Sequence, residues 1–253
     1  VNVIDLALAG LAAIAAGVFN ALAGGGTLIS FPVLVALGVP PIAANVTNAV
    51  ALCPGYFGAT LAQLRNLKGQ KARALVLVPA AAAGGLIGAF VLVHTQERTF
   101  TALIPWMLTT ASVLLAVQEP MRALVLRRAA AQGRQRANAM ALIAVVVASI
   151  YGGFFSAGMS VLLVAVLGLT TADTFGRLNA LKQVLASVVN VAAVLFFLWS
   201  GHIVWAFAGV MAIGALLGGA LGGRLALWMK PAALRWAIVA IGFGIAIVYW
   251  VQD

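Results

Sequence analysis

The sequence predicts an all-α polytopic membrane protein with two inverted-topology repeats of about five transmembrane elements each and a short broken helix in each half. Three observations carry this. Of 253 residues, 64% are hydrophobic and only 8% charged, with a mean hydropathy of +1.12. A soluble domain needs about 25% charged residues to cover itself, so the outer surface here must face lipid. Ten apolar stretches succeed one another with short loops, and the two halves of the chain match at a nearly constant offset.

A bilayer core of about 30 Å is crossed by about 20 residues of apolar helix. The stretches run at 6–23, 27–39, 42–63, 74–94, 100–117, 139–157, 158–169, 178–199, 203–227 and 233–251. The start, Val1 to Asp5, has no basic n-region, so 6–23 reads as the first spanning helix and not as a cleaved signal. Two stretches, 27–39 and 158–169, are too short to span alone. The long polar stretch 119–138, with Arg122, Arg127, Arg128, Arg134 and Arg136, divides the chain into a first transmembrane repeat (1–118), a basic cytoplasmic linker (119–138) and a second repeat (139–253). Leu37-Gly38-Val39 matches Leu167-Gly168-Leu169, Asn48-Ala49 matches Asn179-Ala180, and Gly84, Leu86 and Gly88 match Gly214, Leu216 and Gly218. Five elements per half is an odd number, so the second half must be inverted relative to the first.

Basic loops set membrane topology, and that accounts for the net charge of +10 without nucleic acid. If all ten elements cross, the loops 64–73, 119–138 and 224–235 share the cytoplasmic side and hold twelve of the fifteen Lys and Arg. Both termini are then outside a bacterial inner membrane. Trp199, Trp205, Trp228, Tyr249 and Trp250 fall near helix ends, as interfacial aromatics do. The single cysteine, Cys53, permits no intrachain disulfide and no Cys-based metal site.

Inverted repeats are an architecture of secondary transporters, whose sites lie near the midplane where helices are interrupted by Gly or Pro. This chain has two such segments. Asn20-Ala21-Leu22-Ala23-Gly24-Gly25-Gly26-Thr27 precedes Phe31-Pro32, and Tyr151-Gly152-Gly153-Phe154-Phe155-Ser156-Ala157-Gly158 opens the short element of the second half. Consecutive glycines let the backbone leave helical geometry, and a helix starting after them offers N–H groups and a positive dipole end to an anion. We expect residues 24–27 and 156–160 to be non-helical and to face Asn48 and Asn179. Gly88 and Gly218 read instead as close-packing residues.

The helix near Arg177 carries the other signal. Asn179, Gln183, Ser187 and Asn190 recur at helical spacing and form one polar stripe, with Lys182 at its edge, roughly 7 Å further along than Arg177. An ionisable residue within a spanning helix is a functional candidate. The matching first-half helix offers Asn45, Thr47 and Asn48, all neutral. The acidic residues Asp5, Glu97, Glu119, Asp173 and Asp253 fall at ends or loops, so a cation site or a proton-relay carboxylate is hard to assemble. His94 and His202 read as outer caps. No Ser-His-acid cluster or Walker-type loop is present, and no cofactor is called for.

Gly24-Gly25-Gly26 with Pro32, Leu37-Gly38-Val39-Pro40, Ser200-Gly201-His202-Ile203 with Trp205, and the Gly214–Gly223 run resemble motifs of the TauE/SafE sulfite exporter family, also called the toluene-sulfonate uptake permeases. The resemblance covers the chain from about residue 10 to its end. Members typically show Gly-Thr-Ser where this chain has Val46-Thr47-Asn48, and its second repeat has Arg177-Leu178-Asn179. The resemblance implies transport of sulfite, organosulfonates or related small anions. The candidate substrate-binding residues are Asn20, Gly25, Gly26, Thr27, Asn48, Ser156, Gly158, Arg177, Asn179, Lys182 and Gln183. The expected partners are a small anion and the lipid bilayer, with a homodimer left open. Competing readings are a carrier of a carboxylate, sulfide or metal species, and a membrane enzyme or structural subunit.

Overall fold

The computed structural model describes residues 2–22, 25–61, 63–131, 139–171, 173–225 and 231–252. Gly24 of the triple glycine, the linker end at 132–138, and Trp228, Lys230 and Asp253 lie outside them. The described residues form helices and connecting turns, with no strand: α1 (Val3–Leu22), α2 (Thr27–Ala36), α3 (Pro41–Leu61), α4 (Lys71–His94), α5 (Glu97–Ala116), α6 (Gln118–Ala131), α7 (Ala139–Phe154), α8 (Met159–Thr170), α9 (Phe175–Phe197), α10 (Trp205–Leu225) and α11 (Pro231–Gln252). Each of the ten apolar stretches becomes a helix with ends shifted by a few residues. The described part of the polar stretch, up to Ala131, is itself helical, as α6, and Glu119 near its start pairs with Arg235 at 3.0 Å.

Local chemistry fixes the helix ends. Asn2 and Asp5 cap α1 reciprocally: Asp5 N–H donates to Asn2 Oδ1 (2.8 Å) and Asn2 N–H to Asp5 Oδ2 (3.2 Å). Helices α3 and α11 both begin on proline, which fits a first helical position because its missing N–H would have no partner there. Ile42 N–H, in the first turn of α3, is taken by Glu97 Oε1 at 2.9 Å from the start of α5.

The helix pairing maps onto itself when α1–α5 are exchanged with α7–α11. The contact of α1 with α10 corresponds to that of α7 with α4, α3–α10 to α9–α4, α1–α2 to α7–α8, and α2–α11 to α8–α5; α3–α9 and α5–α11 map onto themselves. Glycine makes the two main contacts close. A Cβ at Gly218 of α10 would collide with the Ile14 carbonyl of α1, and one at Gly88 of α4 with the Ile150 carbonyl of α7. Small residues let helix backbones approach where no water drives association.

Four helices are long and apolar enough to cross a membrane by length and composition: Val3–Asn20, Lys71–His94, Glu97–Ala116 and Gly176–Phe197; α2 and α8 are among the shorter apolar ones. Large apolar side chains are exposed around the periphery, among them Leu86, Phe90, Trp106, Ile143, Ile213 and Ile247. Apolar side chains exposed all round the periphery suit a surface that faces lipid. The chain is an all-α polytopic membrane protein.

Candidate functional site

Both breaks are present, with bounds shifted from those expected. Residues 25 and 26 precede α2, which already includes Thr27, and 155–158 separate α7 from α8, which already includes Met159 and Ser160. Gly25 (φ +91°) and Gly158 (φ +77°) occupy the left-handed region, where L side chains are strained and glycine is not. Both rest on one turn of α5: a Cβ on Gly25 would meet Leu115, and one on Gly158 would meet Leu114 and Ala111.

The breaks meet. Thr27 Oγ1, at the first residue of α2, lies 3.1 Å from Ser156 Oγ, so the N-terminal ends of α2 and α8 converge. Each break is latched by a residue of the helix before it. Asn20 Oδ1 accepts from Gly26 N–H at 2.9 Å, and Tyr151 Oη donates to the Ala157 carbonyl at 2.8 Å. Helix α3 supplies the amides. Asn45 Nδ2 donates to the Phe154 carbonyl at 2.8 Å, satisfying a group freed where α7 stops. Asn48, fully buried, accepts from Ser30 Oγ at 2.5 Å through Oδ1 and leaves Nδ2 without a partner among the described residues. A buried unsatisfied amide group costs roughly 1–3 kcal/mol, which makes it a site for something else to fill. Phe31, Phe100, Phe154 and Phe155 close one side in edge-to-face contacts, with centroids 5.5–6.4 Å apart.

Thus Asn20, Gly25, Gly26, Thr27, Asn48, Ser156 and Gly158 come together. Arg177, Asn179, Lys182 and Gln183 do not join them. Asn179 Nδ2 donates to Gln63 Oε1 (2.8 Å) just beyond the end of α3, and Thr60 Oγ1 donates to the Gln183 carbonyl (3.3 Å). Thr60 is 12 residues beyond Asn48, about 18 Å along α3 at 1.5 Å per residue. Asn179 therefore does not sit opposite the breaks. The polar stripe is a seam between antiparallel α3 and α9. Ser187 Oγ bonds Thr60 Oγ1 (2.6 Å) and the Tyr56 carbonyl (3.0 Å), and Asn190 Nδ2 reaches the Ala49 carbonyl (3.3 Å). The stripe residue at the level of the breaks is Asn190, not Lys182. Lys182 is half-buried and has no ion pair among the described residues.

Arg177 is engaged in a second cluster. Asp173, in the loop before α9, receives Arg73 Nη1 at 2.6 Å, Arg177 Nε at 2.9 Å and Thr174 N–H at 2.8 Å. Arg177 Nη1 also donates to the Lys68 carbonyl (2.7 Å), and Gln70 Nε2 to the Arg177 carbonyl (3.0 Å). Burial opposes ionisation of Asp173, but the hydrogen bonds from Arg177, Thr174 and Arg73 outweigh it and hold its pKa below the usual carboxylate value. This knot ties the starts of α4 and α9 to the loop between α3 and α4.

Sequence reasoning did not single out Ser30 or the counter-ion role of Asp173. Both had signals: Ser30 lies one helical turn after Gly26, and Asp173 lies four residues before Arg177, the spacing of a helical ion pair. The other described acids are also engaged at helix ends, Asp5 and Glu97 by backbone amides and Glu119 by Arg235.

Residues 9–249 match the family model described as sulfite exporter TauE/SafE. The chain is 27% identical over 237 residues to the probable membrane transporter protein YfcA of Escherichia coli (strain K12), covering 90% of this chain and 83% of that protein. It is 28% identical over 248 residues to the probable membrane transporter protein ORF9 of Sinorhizobium sp, covering 96% and 91%. A probable membrane transporter protein of Haemophilus influenzae is 25% identical over 235 residues, covering 90% and 88%. No solved structure matches the chain.

Proposed function

Because the chain belongs to the sulfite exporter TauE/SafE family and is a membrane transporter, we propose that it exports a small sulfur-containing anion, sulfite or an organosulfonate, across the bacterial inner membrane. The observation that carries this is the junction of the two helix breaks. Two converging helix N-termini, two hydroxyls and the unpartnered Asn48 Nδ2 form a set of donors and positive dipole ends. A sulfonate or sulfite offers several acceptor oxygens and negative charge, which complements that set. Breaking the Thr27–Ser156 bond frees the proton it holds, so that both hydroxyls can donate to the ligand.

In this reading Thr27, Ser156 and Asn48 hold the anion, and Asn20, Gly25, Gly26 and Gly158 shape the breaks. Lys182 borders its approach from the cytoplasmic end, where Asn179 and Gln183 hold the seam with α3 and Arg177 anchors the knot. The halves are inverted, both termini lie outside, and alternating access proceeds around the junction. The test is a binding screen of the purified full chain against sulfite, sulfoacetate, taurine, sulfate and acetate, read as thermal stabilisation, with Asn48→Asp beside it. That change replaces Nδ2 with an acceptor. Sulfite or a sulfonate should stabilise the protein, and Asn48→Asp should weaken that by at least about tenfold, the equivalent of one hydrogen bond to a charged group. Stabilisation by acetate alone, or an unchanged response in a folded Asn48→Asp protein, refutes the assignment.

A further inference from the structure

We propose that an anionic phospholipid binds the outward face of α4, its phosphate on Lys68 and Lys71 and an acyl chain in the groove beside them. Lys71, Ala74, Leu75, Val78 and Pro79 line a groove of about 350 Å³. They fall at i, i+3, i+4, i+7 and i+8, on one face of the helix. The adjoining face, with Leu77, Ala81 and Gly84, is buried toward α7 and α9. The groove face is open, and Leu75 is 75% exposed. From Lys71 to Pro79 it runs about 12 Å along the axis, so it starts at the polar loop and descends into the depth of the acyl chains.

The charge at its mouth is uncompensated. Arg65, Lys68 and Lys71 are exposed and have no carboxylate partner among the described residues. The neighbouring Arg73 turns the other way, to Asp173. The corresponding helix α10 opens on Trp205-Ala206-Phe207 with no cation before Arg224, so the feature belongs to α4 and not to the repeat. A water-soluble anion would use the lysines and leave the groove empty, and a zwitterionic lipid would fill the groove and gain little from the lysines. An anionic phospholipid uses both, as basic pockets beside membrane helices do.

The inference rests on membrane embedding and not on what the protein carries. The test uses the full chain, delipidated in detergent, titrated with phosphatidylglycerol, phosphatidylcholine or inorganic phosphate and read by native mass spectrometry and thermal melting. Phosphatidylglycerol should bind more tightly than phosphatidylcholine, and phosphate should have no comparable effect. The double variant K68Q/K71Q should lower the phosphatidylglycerol affinity about 25-fold, from about fivefold per lysine. Leu75→Trp, at an exposed position, should fill the groove and weaken both lipids while the protein remains folded. Equal affinity for the two lipids, an unchanged double variant, or an equal response to inorganic phosphate would each overturn the proposal. None of these readouts depends on sulfite or sulfonate flux, so failure here leaves the carrier reading standing.

Discussion

Asp173→Asn is the most informative single change outside the helix junction. It preserves shape, and the amide oxygen can still accept from Thr174 N–H, but the charge that holds Arg73 and Arg177 is lost. Removing one partner of a buried pair costs about 3–5 kcal/mol when the remaining charge stays dry. Here the arginine side chains are 13% and 21% exposed and can recover some hydration, which lowers the expectation to roughly 2–3 kcal/mol. For a chain of this length that is roughly 4–12 °C in thermal midpoint. The pH dependence gives a second reading. The pKa of Asp173 is depressed in the folded protein. Its contribution is therefore complete above the ordinary carboxylate pKa of about 3.9, and it is lost as pH falls through the depressed folded value. Thermal melts of wild type and Asp173→Asn should differ at pH 7 and converge in acid. Equal midpoints at pH 7, or a gap that persists unchanged at the lowest pH at which the protein stays folded, would show that the knot contributes nothing to stability.

Gly158→Ala should destabilise by about 1–2 kcal/mol through its left-handed backbone alone, whereas Gly209→Ala, in open space on α10, should be neutral or slightly stabilising; paired thermal melts separate the two. Gly88→Ala and Gly218→Ala should each lower the yield and melting temperature of folded protein to a similar degree, because each adds a methyl against a backbone carbonyl at a corresponding helix contact. Lys182→Ala, which removes a cation well away from the helix junction, should weaken anion binding by no more than about fivefold with expression intact, against at least about tenfold for Asn48→Asp, measured by ligand-induced thermal stabilisation. Flux of sulfite or sulfonate from proteoliposomes should follow a valinomycin-set potential with pH and sodium equal on both sides. An interior-negative potential supplies ~2.3 kcal/mol per charge per 100 mV. Flux that ignores potential and answers a pH or sodium step would show a coupling residue at work.

The helices were legible because a chain this apolar must satisfy its backbone groups within each segment, so each apolar stretch announces a helix whatever its neighbours. The breaks were legible because positive φ at Gly25 and Gly158 needs glycine, and Gly26 packs so closely on the Ala16 carbonyl that a Cβ there would collide with it. Helix α6 was not read, although Gln118–Ala131 is rich in Ala, Leu, Met and Arg, all strong helix formers. Its charge suggested a connector, and composition does not separate an exposed polar helix from a loop.

The stripe on α9 shows where periodicity stops. Spacing establishes that Asn179, Gln183, Ser187 and Asn190 share a face, but not whether that face meets water, substrate or another helix. It meets α3, where Gln63, Thr60, Tyr56 and Ala49 supply the partners. In the proposed reading, that arrangement separates charge from binding. The fixed cations cluster toward one end, with Arg73 and Arg177 sharing the single carboxylate of Asp173, while the breaks are served by hydroxyls, an amide and backbone dipoles. A carrier must bind its substrate firmly enough to select it and loosely enough to release it. An unscreened cation beside a dianion in low dielectric would hold it too well, since Coulomb attraction grows several-fold as the effective dielectric falls from that of water toward about 20. Neutral donors at the junction avoid that trap, and cations nearer the mouth can still gather anions from solution.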